Sequence, residues 1–331
     1  MTKIKVAING FGRIGRVFTR TILNDPQIEL VAINDITDNK TLAHLFKYDS
    51  IHGVYAEAVS ADDNGIKIGN RSIQVFAERD PSNLPWGKLN VDVVVEATGI
   101  FRTKETASKH ITAGAKKVII SAPAKGGGVP GYVIGVNDHK LSKDELVLSN
   151  ASCTTNCAAP MIKVLKDLCG INTGMITTVH SYTGDQRLHD APHSDLRRSR
   201  AAAISIIPTS TGAADAIVEI FPELEGKMDG SGIRVPVSDG SLTEMTCVVN
   251  NLVTVEQINT AFKKAANSSL KGILEYTEDE IVSVDIVGNP HSCIFDSGLT
   301  QVVGNQVKIV GWYDNEFGYS NRVKDLIKKL F

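Results

Sequence analysis

One short segment constrains this chain more than any other: Gly10-Phe11-Gly12-Arg13-Ile14-Gly15, set between two apolar runs of different period. Ile4, Val6 and Ile8 alternate before it and read as a strand; Val17, Phe18, Ile22 and Leu23 follow at helical spacing. A strand that turns through glycines into a helix offers an anion the helix's unpaired amides and the positive end of its dipole. Gly10 suits the turn, Gly12 lets a pyrophosphate approach the backbone, and Gly15 lets helix and strand pack. Asp35 lies 20 residues beyond Gly15, at the end of the next apolar run. A carboxylate there accepts from ribose hydroxyls and repels a 2′-phosphate, so the segment predicts NAD rather than NADP.

Up to Asn150, short β-branched runs alternate with longer amphipathic stretches, the pattern of a mostly parallel sheet covered by helices. Strands are expected at 4–8, 29–34, 91–97, 118–121, 133–136 and 147–149. Several end in small or polar residues, as at Asn9-Gly10 and Asn34-Asp35, and those ends form the ligand-binding edge of an open α/β sheet. Beyond Asn150 the texture changes to longer alternating strands at 242–250, 281–287 and 306–312, with a helix at 255–266. That predicts a second, α+β domain with a mostly antiparallel sheet. Near the C-terminus Tyr319, Val323, Leu326, Ile327 and Leu330 share one helical face, which must dock on a core. The expected organisation is a dinucleotide-binding α/β domain at 1–150, completed by a helix at about 316–331, and a catalytic domain at 151–315.

With 35 Lys and Arg against 37 Asp and Glu, the formal charge of −2 gives no general electrostatic attraction to nucleic acid or a membrane surface. The longest apolar run is four residues, too short to span a bilayer, and the N-terminus alternates where a signal peptide would be continuously apolar. A cytoplasmic location is expected. Five cysteines at irregular spacing predict reduced thiols rather than a disulfide framework, and no ligand set for a metal is apparent.

Cys153 stands out among them. It sits in Ser152-Cys153-Thr154-Thr155, after an expected strand and before the helical stripe of Met161, Ile162, Val164, Leu165 and Leu168. With Ser152 as N-cap, Cys153 falls in the first turn, where open amides and the dipole are expected to lower the thiol pKa and favour the nucleophilic thiolate. Cys157, Cys169, Cys247 and Cys293 read as small core residues. Of eight histidines, His180 ends an expected strand at 175–179 and enters a polar loop, a position from which an imidazole meets a distant thiol. Arg198, Arg234 and the hydroxyl-rich Pro208-Thr209-Ser210-Thr211-Gly212 supply groups suited to phosphate oxygens.

In sequence order, NGFGRIGR, SNASCTTNCAAP (149–160), TVHSYTGDQR (178–187), PTSTGAA (208–214) and WYDNEFGYSNR (312–322) make a chain that resembles, end to end, the bacterial phosphorylating glyceraldehyde-3-phosphate dehydrogenases. The resemblance implies a Rossmann domain plus a catalytic α+β domain, a homotetramer, and NAD-dependent oxidation of glyceraldehyde 3-phosphate to 1,3-bisphosphoglycerate through a cysteine thioester. It implies Cys153 as nucleophile and His180 as base. Gly10, Gly12 and Gly15, with Arg13 and Ile14, are then expected along the pyrophosphate, Asp35 on ribose, Arg79 and Ser121 on the adenine and ribose side, and Asn315 on the nicotinamide amide. Ser152, Thr154, Thr211 and Gly212 match the inorganic phosphate site. Thr183, Arg198 and Arg234 match positions that contact substrate phosphate, with Arg234 shared between the two anions. Phe317, Asp215 and the run after Arg234 depart from the usual pattern without removing a reacting group, and Ala191 stands where NAD-specific relatives often have leucine. The nearest alternative activity is that of an erythrose-4-phosphate dehydrogenase, against which Thr183, Thr211 and Gly212 argue. A non-catalytic nucleotide- or RNA-binding protein is the alternative of another class, and the joint retention of Cys153 and His180 argues against it.

Overall fold

The alternating N-terminal run forms β1 (Ile4–Asn9), and the glycine segment turns it into α1 (Arg13–Ile22) and on to β2 (Ile28–Asn34). A computed structural model describes residues 3–331 of the chain, which divide into two compact units. The first comprises the described residues up to Tyr132, together with 140–151 and 320–331; the second comprises 133–139 and 152–319.

In the first unit the sheet continues with β3 (Val59–Asp62), β4 (Gly65–Ile68), β5 (Arg71–Phe76), β6 (Val93–Glu96), β7 (Lys117–Ile120) and β8 (Val147–Ser149). Its order is β8-β7-β6-β1-β2-β5-β4-β3. All neighbours from β8 to β5 run parallel, and β4 and β3 add an antiparallel edge. The chain builds outward from β1 in one direction through β2, then returns to build in the other through β6. Loops after β1 and β6 therefore leave in opposite directions, which opens a crevice at the carboxyl ends of the strands. Ala7, Ala32, Val94 and Trp86 pack one core cluster, and Val118, Ile120 and Val147 help form another.

Two glycines of the fingerprint are fixed by packing. Gly10 has φ +94, and a Cβ there would lie 2.7 Å from the Thr98 amide nitrogen. A Cβ on Gly15 would lie 2.2 Å from the Gly10 carbonyl oxygen. Gly12, by contrast, has no atom within 4 Å of that position, so its missing side chain leaves open space.

The second unit carries α2 (Cys153–Cys169), β9 (Ile171–Ser181), β10 (Ile207–Ser210), α3 (Ala213–Ile220), β11 (Met228–Val235), β12 (Ser241–Val249) and α4 (Val255–Ala266). After these come β13 (Leu274–Thr277), β14 (Cys293–Asp296), β15 (Gln301–Val303), β16 (Gln306–Tyr313) and α5 (Phe317–Leu330), whose last residues belong to the first unit. The sheet order is β10-β11-β9-β12-β16-β14-β13, with β15 also on β16; only β9/β11 and β13/β14 are parallel. The terminal helix buries the expected stripe, and Lys328 pairs with Asp25 at 2.5 Å.

Two expected strands are not strands. Residues 133–136 form a turn, closed by the Val136 amide on the Val133 carbonyl, with Gly135 at φ +84 and the Asn137 side chain accepting from the Val133 amide. Their apolar residues are buried without pairing. At 281–287 the chain contains a 3-10 turn (Ser283–Ile286), with Asp285 accepting from the Val282 amide. Val282 and Val284 are exposed there, so the alternation reflected no sheet face.

The glycine contacts generate a paired expectation for thermal or denaturant unfolding. Gly15→Ala is expected to cost about 3 kcal/mol by overpacking α1 against the β1 turn, whereas Gly12→Ala is expected to stay within about 0.5 kcal/mol of the parent. Equal losses would show that the turn relaxes around both.

Candidate nucleotide cleft and thiol site

Within the first unit, a cleft of about 410 Å³ opens at the carboxyl ends of four parallel strands. Asn9, Gly10 and Gly12 line it after β1, Asn34 and Asp35 after β2, Glu78 and Arg79 after β5, and Thr98, Ile100 and Phe101 after β6. A buried polar chain holds its floor. Trp86 Nε1 donates to His110 Nδ1 at 3.0 Å, which leaves the His110 Nε2 proton for Glu96 Oε2 at 3.0 Å. Asn9 donates to that same carboxylate oxygen at 2.5 Å, and Asn34 donates to Asn9 Oδ1 at 2.7 Å. The ends of β1, β2 and β6 are thereby tied to one another.

Asp35 caps this arrangement. Its carboxylate accepts from the Phe11 amide at 2.7 Å and the Thr37 amide at 2.9 Å, so its position relative to the glycine turn is fixed. Arg79 is exposed on the rim, and Ser121 follows β7 with its amide on the Glu96 carbonyl at 2.9 Å. Arg13 and Ile14 begin α1; the Arg13 guanidinium is held by Asp49 at 2.6 Å, which leaves its backbone as the part suited to a pyrophosphate. These residues fit a dinucleotide: open space over Gly12 at a helix N-terminus, a fixed ribose acceptor, and apolar Ile36 and Ile100 exposed at the cleft for a base.

The second unit holds the thiol. Ser152 is the N-cap of α2, its Oγ accepting from the Thr155 amide at 3.0 Å. The preceding Ala151 has φ 54, an uncommon left-handed conformation for a residue with a Cβ. Cys153 is the first helical residue. His180, near the end of β9, places Nε2 3.4 Å from Cys153 Sγ, so the structure joins the two residues that the sequence could only nominate. The other ring nitrogen, Nδ1, lies between an acceptor, the Ser181 carbonyl at 2.7 Å, and a donor, Arg234 Nη1; in the tautomer with its hydrogen on Nδ1, given to the carbonyl, the ring presents the Nε2 lone pair to the thiol. Arg234 pairs in register with His180 across β9 and β11. Its Nη1 lies 2.5 Å from Nδ1 and donates to the Ser181 carbonyl at 3.1 Å.

Electrostatics here differ from the sequence expectation of a thiol with a lowered pKa. Burial pushes the Cys153 thiol up to about 11, outweighing the Arg234 charge and the donors of Thr154. Burial, then Arg234, pushes the His180 imidazole down to about 3. A helix terminus contributes too little to offset removal from water. The neutral imidazole is nevertheless a base within reach of the thiol proton, and transfer to Nε2 creates the sulfur anion only as it is needed.

Among the anion-binding candidates, Thr183 and Arg198 lie between β9 and β10, Thr211 and Gly212 follow β10, and Thr154 is in the first turn of α2. Thr183 donates to Asp185, and the same carboxylate takes Arg198 Nη1 at 2.8 Å, so Thr183 and Arg198 meet through Asp185. Arg234 also acts on that carboxylate; though burial opposes it, Thr183 and the two arginines hold Asp185 below its ordinary pKa. Thr211 Oγ1 accepts from the Ala213 amide at 3.2 Å, and Gly212 is the N-cap of α3 with open space above it. Thr154 is buried with its hydroxyl 2.9 Å from Tyr313. Asn315 Oδ1 accepts from Ser181 at 3.0 Å and Ser241 at 2.7 Å, so its amide nitrogen is oriented by two hydroxyls that the sequence did not single out. Thr178 and Tyr313 were likewise missed, although Tyr313 lies inside a quoted motif. Cys157, Cys169, Cys247 and Cys293 are buried.

Comparison with known proteins places both halves in one family. Residues 4–104 match the description "Glyceraldehyde 3-phosphate dehydrogenase, NAD binding domain" and residues 152–315 match "Glyceraldehyde 3-phosphate dehydrogenase, C-terminal domain". Glyceraldehyde-3-phosphate dehydrogenase 2 of Streptomyces avermitilis is 55% identical over 326 residues, covering 98% of this chain and 97% of that protein. Glyceraldehyde-3-phosphate dehydrogenase of Mycobacterium avium is 55% identical over 331 residues, with the same coverage. Agreement at this level along nearly the whole of both chains means that the chain belongs to the glyceraldehyde-3-phosphate dehydrogenase family.

Proposed function

We propose that this chain is an NAD-dependent phosphorylating dehydrogenase that oxidises glyceraldehyde 3-phosphate to 1,3-bisphosphoglycerate, with Cys153 as nucleophile and His180 as acid and base. The observation that carries the assignment is the 3.4 Å contact of Cys153 Sγ with His180 Nε2 at the start of α2. Family membership adds substrate and cofactor class.

The steps follow from residue type. His180 takes the thiol proton as sulfur adds to the aldehyde carbon, and returns it to the new alkoxide to give a hemithioacetal. Bound NAD supplies the acceptor for the hydride that this carbon loses. His180 accepts the hydroxyl proton in the same step, and a thioester remains on Cys153. Phosphate then attacks the acyl carbon, the carbon–sulfur bond breaks, and the acyl phosphate leaves. The Cys153 amide, at the first helical position, and the protonated imidazole stabilise the oxyanion.

The remaining residues divide by charge and place. Ser152, Thr154, Thr211 and Gly212 take inorganic phosphate, Thr183 and Arg198 take the substrate phosphate, and Arg234 serves both. Gly10, Gly12, Arg13, Ile14 and Gly15 receive the pyrophosphate by their backbone, Asp35 the ribose, Arg79 and Ser121 the adenosine side, and Asn315 the nicotinamide amide. Assembly as a cytoplasmic homotetramer belongs to the same proposal. It is supported by family resemblance, and no helix among the described residues is long and apolar enough to cross a membrane.

NADH formation from glyceraldehyde 3-phosphate and from erythrose 4-phosphate, each with and without inorganic phosphate, tests the substrate. Phosphate-dependent turnover of the triose is expected; preference for the tetrose without phosphate would select the other activity, and no NADH from either would leave a binding protein. Cys153→Ser is expected to abolish dehydrogenation while NAD affinity stays within about twofold, since a hydroxyl is far less readily ionised than a thiol. Retained turnover would refute Cys153 as nucleophile. His180→Asn is expected to slow alkylation of Cys153 by iodoacetamide at neutral pH about tenfold or more, because the base is gone. An unchanged rate would mean the thiol is activated by other groups.

A further inference from the structure

Asn315 lies just beyond the end of β16, and its side-chain oxygen accepts two hydrogen bonds, from Ser181 Oγ at 3.0 Å and from Ser241 Oγ at 2.7 Å. All three residues are buried. Strand pairing collects them from three distant parts of the chain. Ser181 ends β9 and Ser241 begins β12, where Val179 pairs with Leu242; Ser241 in turn faces Tyr313, the last residue of β16. Ser181 also gives its backbone amide to Ser241 Oγ at 3.1 Å.

The hydrogens available decide which way the Asn315 amide faces. A hydroxyl gives one hydrogen, and an amide oxygen has two lone pairs. Ser241 Oγ accepts from the Ser181 amide and gives its own hydrogen to Asn315 Oδ1, and Ser181 Oγ gives its hydrogen to the same oxygen. Both lone pairs are then used. With the amide reversed, Asn315 Nδ2 would donate toward both hydroxyl oxygens, and two hydroxyl hydrogens would lose their acceptor in a buried place. Leaving a buried polar group unpaired costs more than one such bond gains. The oxygen is therefore held inward, and what Asn315 can offer a ligand is the N–H donors of Nδ2.

We propose that Ser181 and Ser241 are positioning residues for the cofactor: together they lock Asn315 as a donor, so that it binds the carbonyl oxygen of the nicotinamide amide and not its NH2 group. The inference rests on the placement of Asn315 at that amide under the proposed function. Ser181 has a second task. Its carbonyl oxygen lies 2.7 Å from His180 Nδ1 and accepts from Arg234 Nη1 at 3.1 Å. One residue thus holds the proposed base by its backbone and the cofactor amide through its side chain, which ties both orientations to the end of one strand.

Dissociation constants for NAD, adenosine diphosphate ribose and two NAD analogues test this. The 3-acetylpyridine analogue keeps the carbonyl oxygen and lacks the NH2 group; the thionicotinamide analogue keeps the NH2 group and replaces the oxygen with sulfur, a weak acceptor. Ser181→Ala is expected to weaken NAD and the 3-acetylpyridine analogue about three- to tenfold. The thionicotinamide analogue should lose less than about twofold, and adenosine diphosphate ribose, which has no nicotinamide ring, nothing. Ser241→Ala is expected to give the same pattern. Asn315→Ala should weaken NAD at least as much, and adding Ser181→Ala to it should weaken NAD no further, because the serine reaches the cofactor only through Asn315. A loss with the thionicotinamide analogue but not the 3-acetylpyridine one would mean that Asn315 accepts from the NH2 group. An equal loss of adenosine diphosphate ribose would mean that the serines only support the fold. Either result overturns the proposal. Unchanged NAD binding in Asn315→Ala would remove Asn315 from the nicotinamide and the proposal with it, whereas a loss there with none in either serine variant would overturn the serines' role and leave the placement of Asn315 standing.

Discussion

A half-buried sulfur that the proposed function requires to become an anion is the constraint around which the thiol site of the second unit is arranged. Burial outweighs the Arg234 charge and the Thr154 donors and holds the Cys153 thiol up at about 11, so in the proposed mechanism the proton leaves for His180 as the sulfur attacks. Every neighbour serves that end. Ser152 starts the helix at whose first position the sulfur sits, His180 offers a neutral nitrogen at 3.4 Å, and the Ser181 carbonyl lies at the ring's other nitrogen. Arg234 has opposite effects on the pair. It favours the sulfur anion and disfavours the imidazolium, which keeps the imidazole a base until a proton arrives.

The first unit solves a different problem, that of bringing a backbone within reach of a pyrophosphate. Reversal of strand order at β1 opens the crevice, and the buried chain from Trp86 through His110, Glu96 and Asn9 to Asn34 ties three strand ends together beneath it. Gly10 and Gly15 are then required by contacts within the fold, while the position of a Gly12 side chain is open space, where the proposed pyrophosphate would lie. The same motif thus combines two packing constraints with one functional opening.

Much of this was legible in the residues because it is local. The glycine turn, Asp35 at the next strand end, the Ser152 cap and the terminal helix stripe are all set by neighbours within a few positions, and each lies where spacing put it. The failures have physical causes. At 133–136 and 281–287 apolar alternation was mistaken for pairing, when side-chain acceptors on Asn137 and Asp285 close the backbone on itself. The thiol pKa was misjudged because the helix terminus is visible in sequence and desolvation is not. Tyr313 and Thr178 escaped notice because their hydroxyls meet across 135 positions of chain, a distance that no periodicity encodes.

Covalent chemistry at sulfur is the claim on which the functional account stands, and intact-protein mass spectrometry addresses it directly. Enzyme mixed with NAD and glyceraldehyde 3-phosphate, without inorganic phosphate, should gain the mass of one phosphoglyceroyl group per chain. Peptide mapping should place it on Cys153, and added phosphate should discharge it. NADH release with no adduct, or with an adduct confined to another residue, would contradict the account.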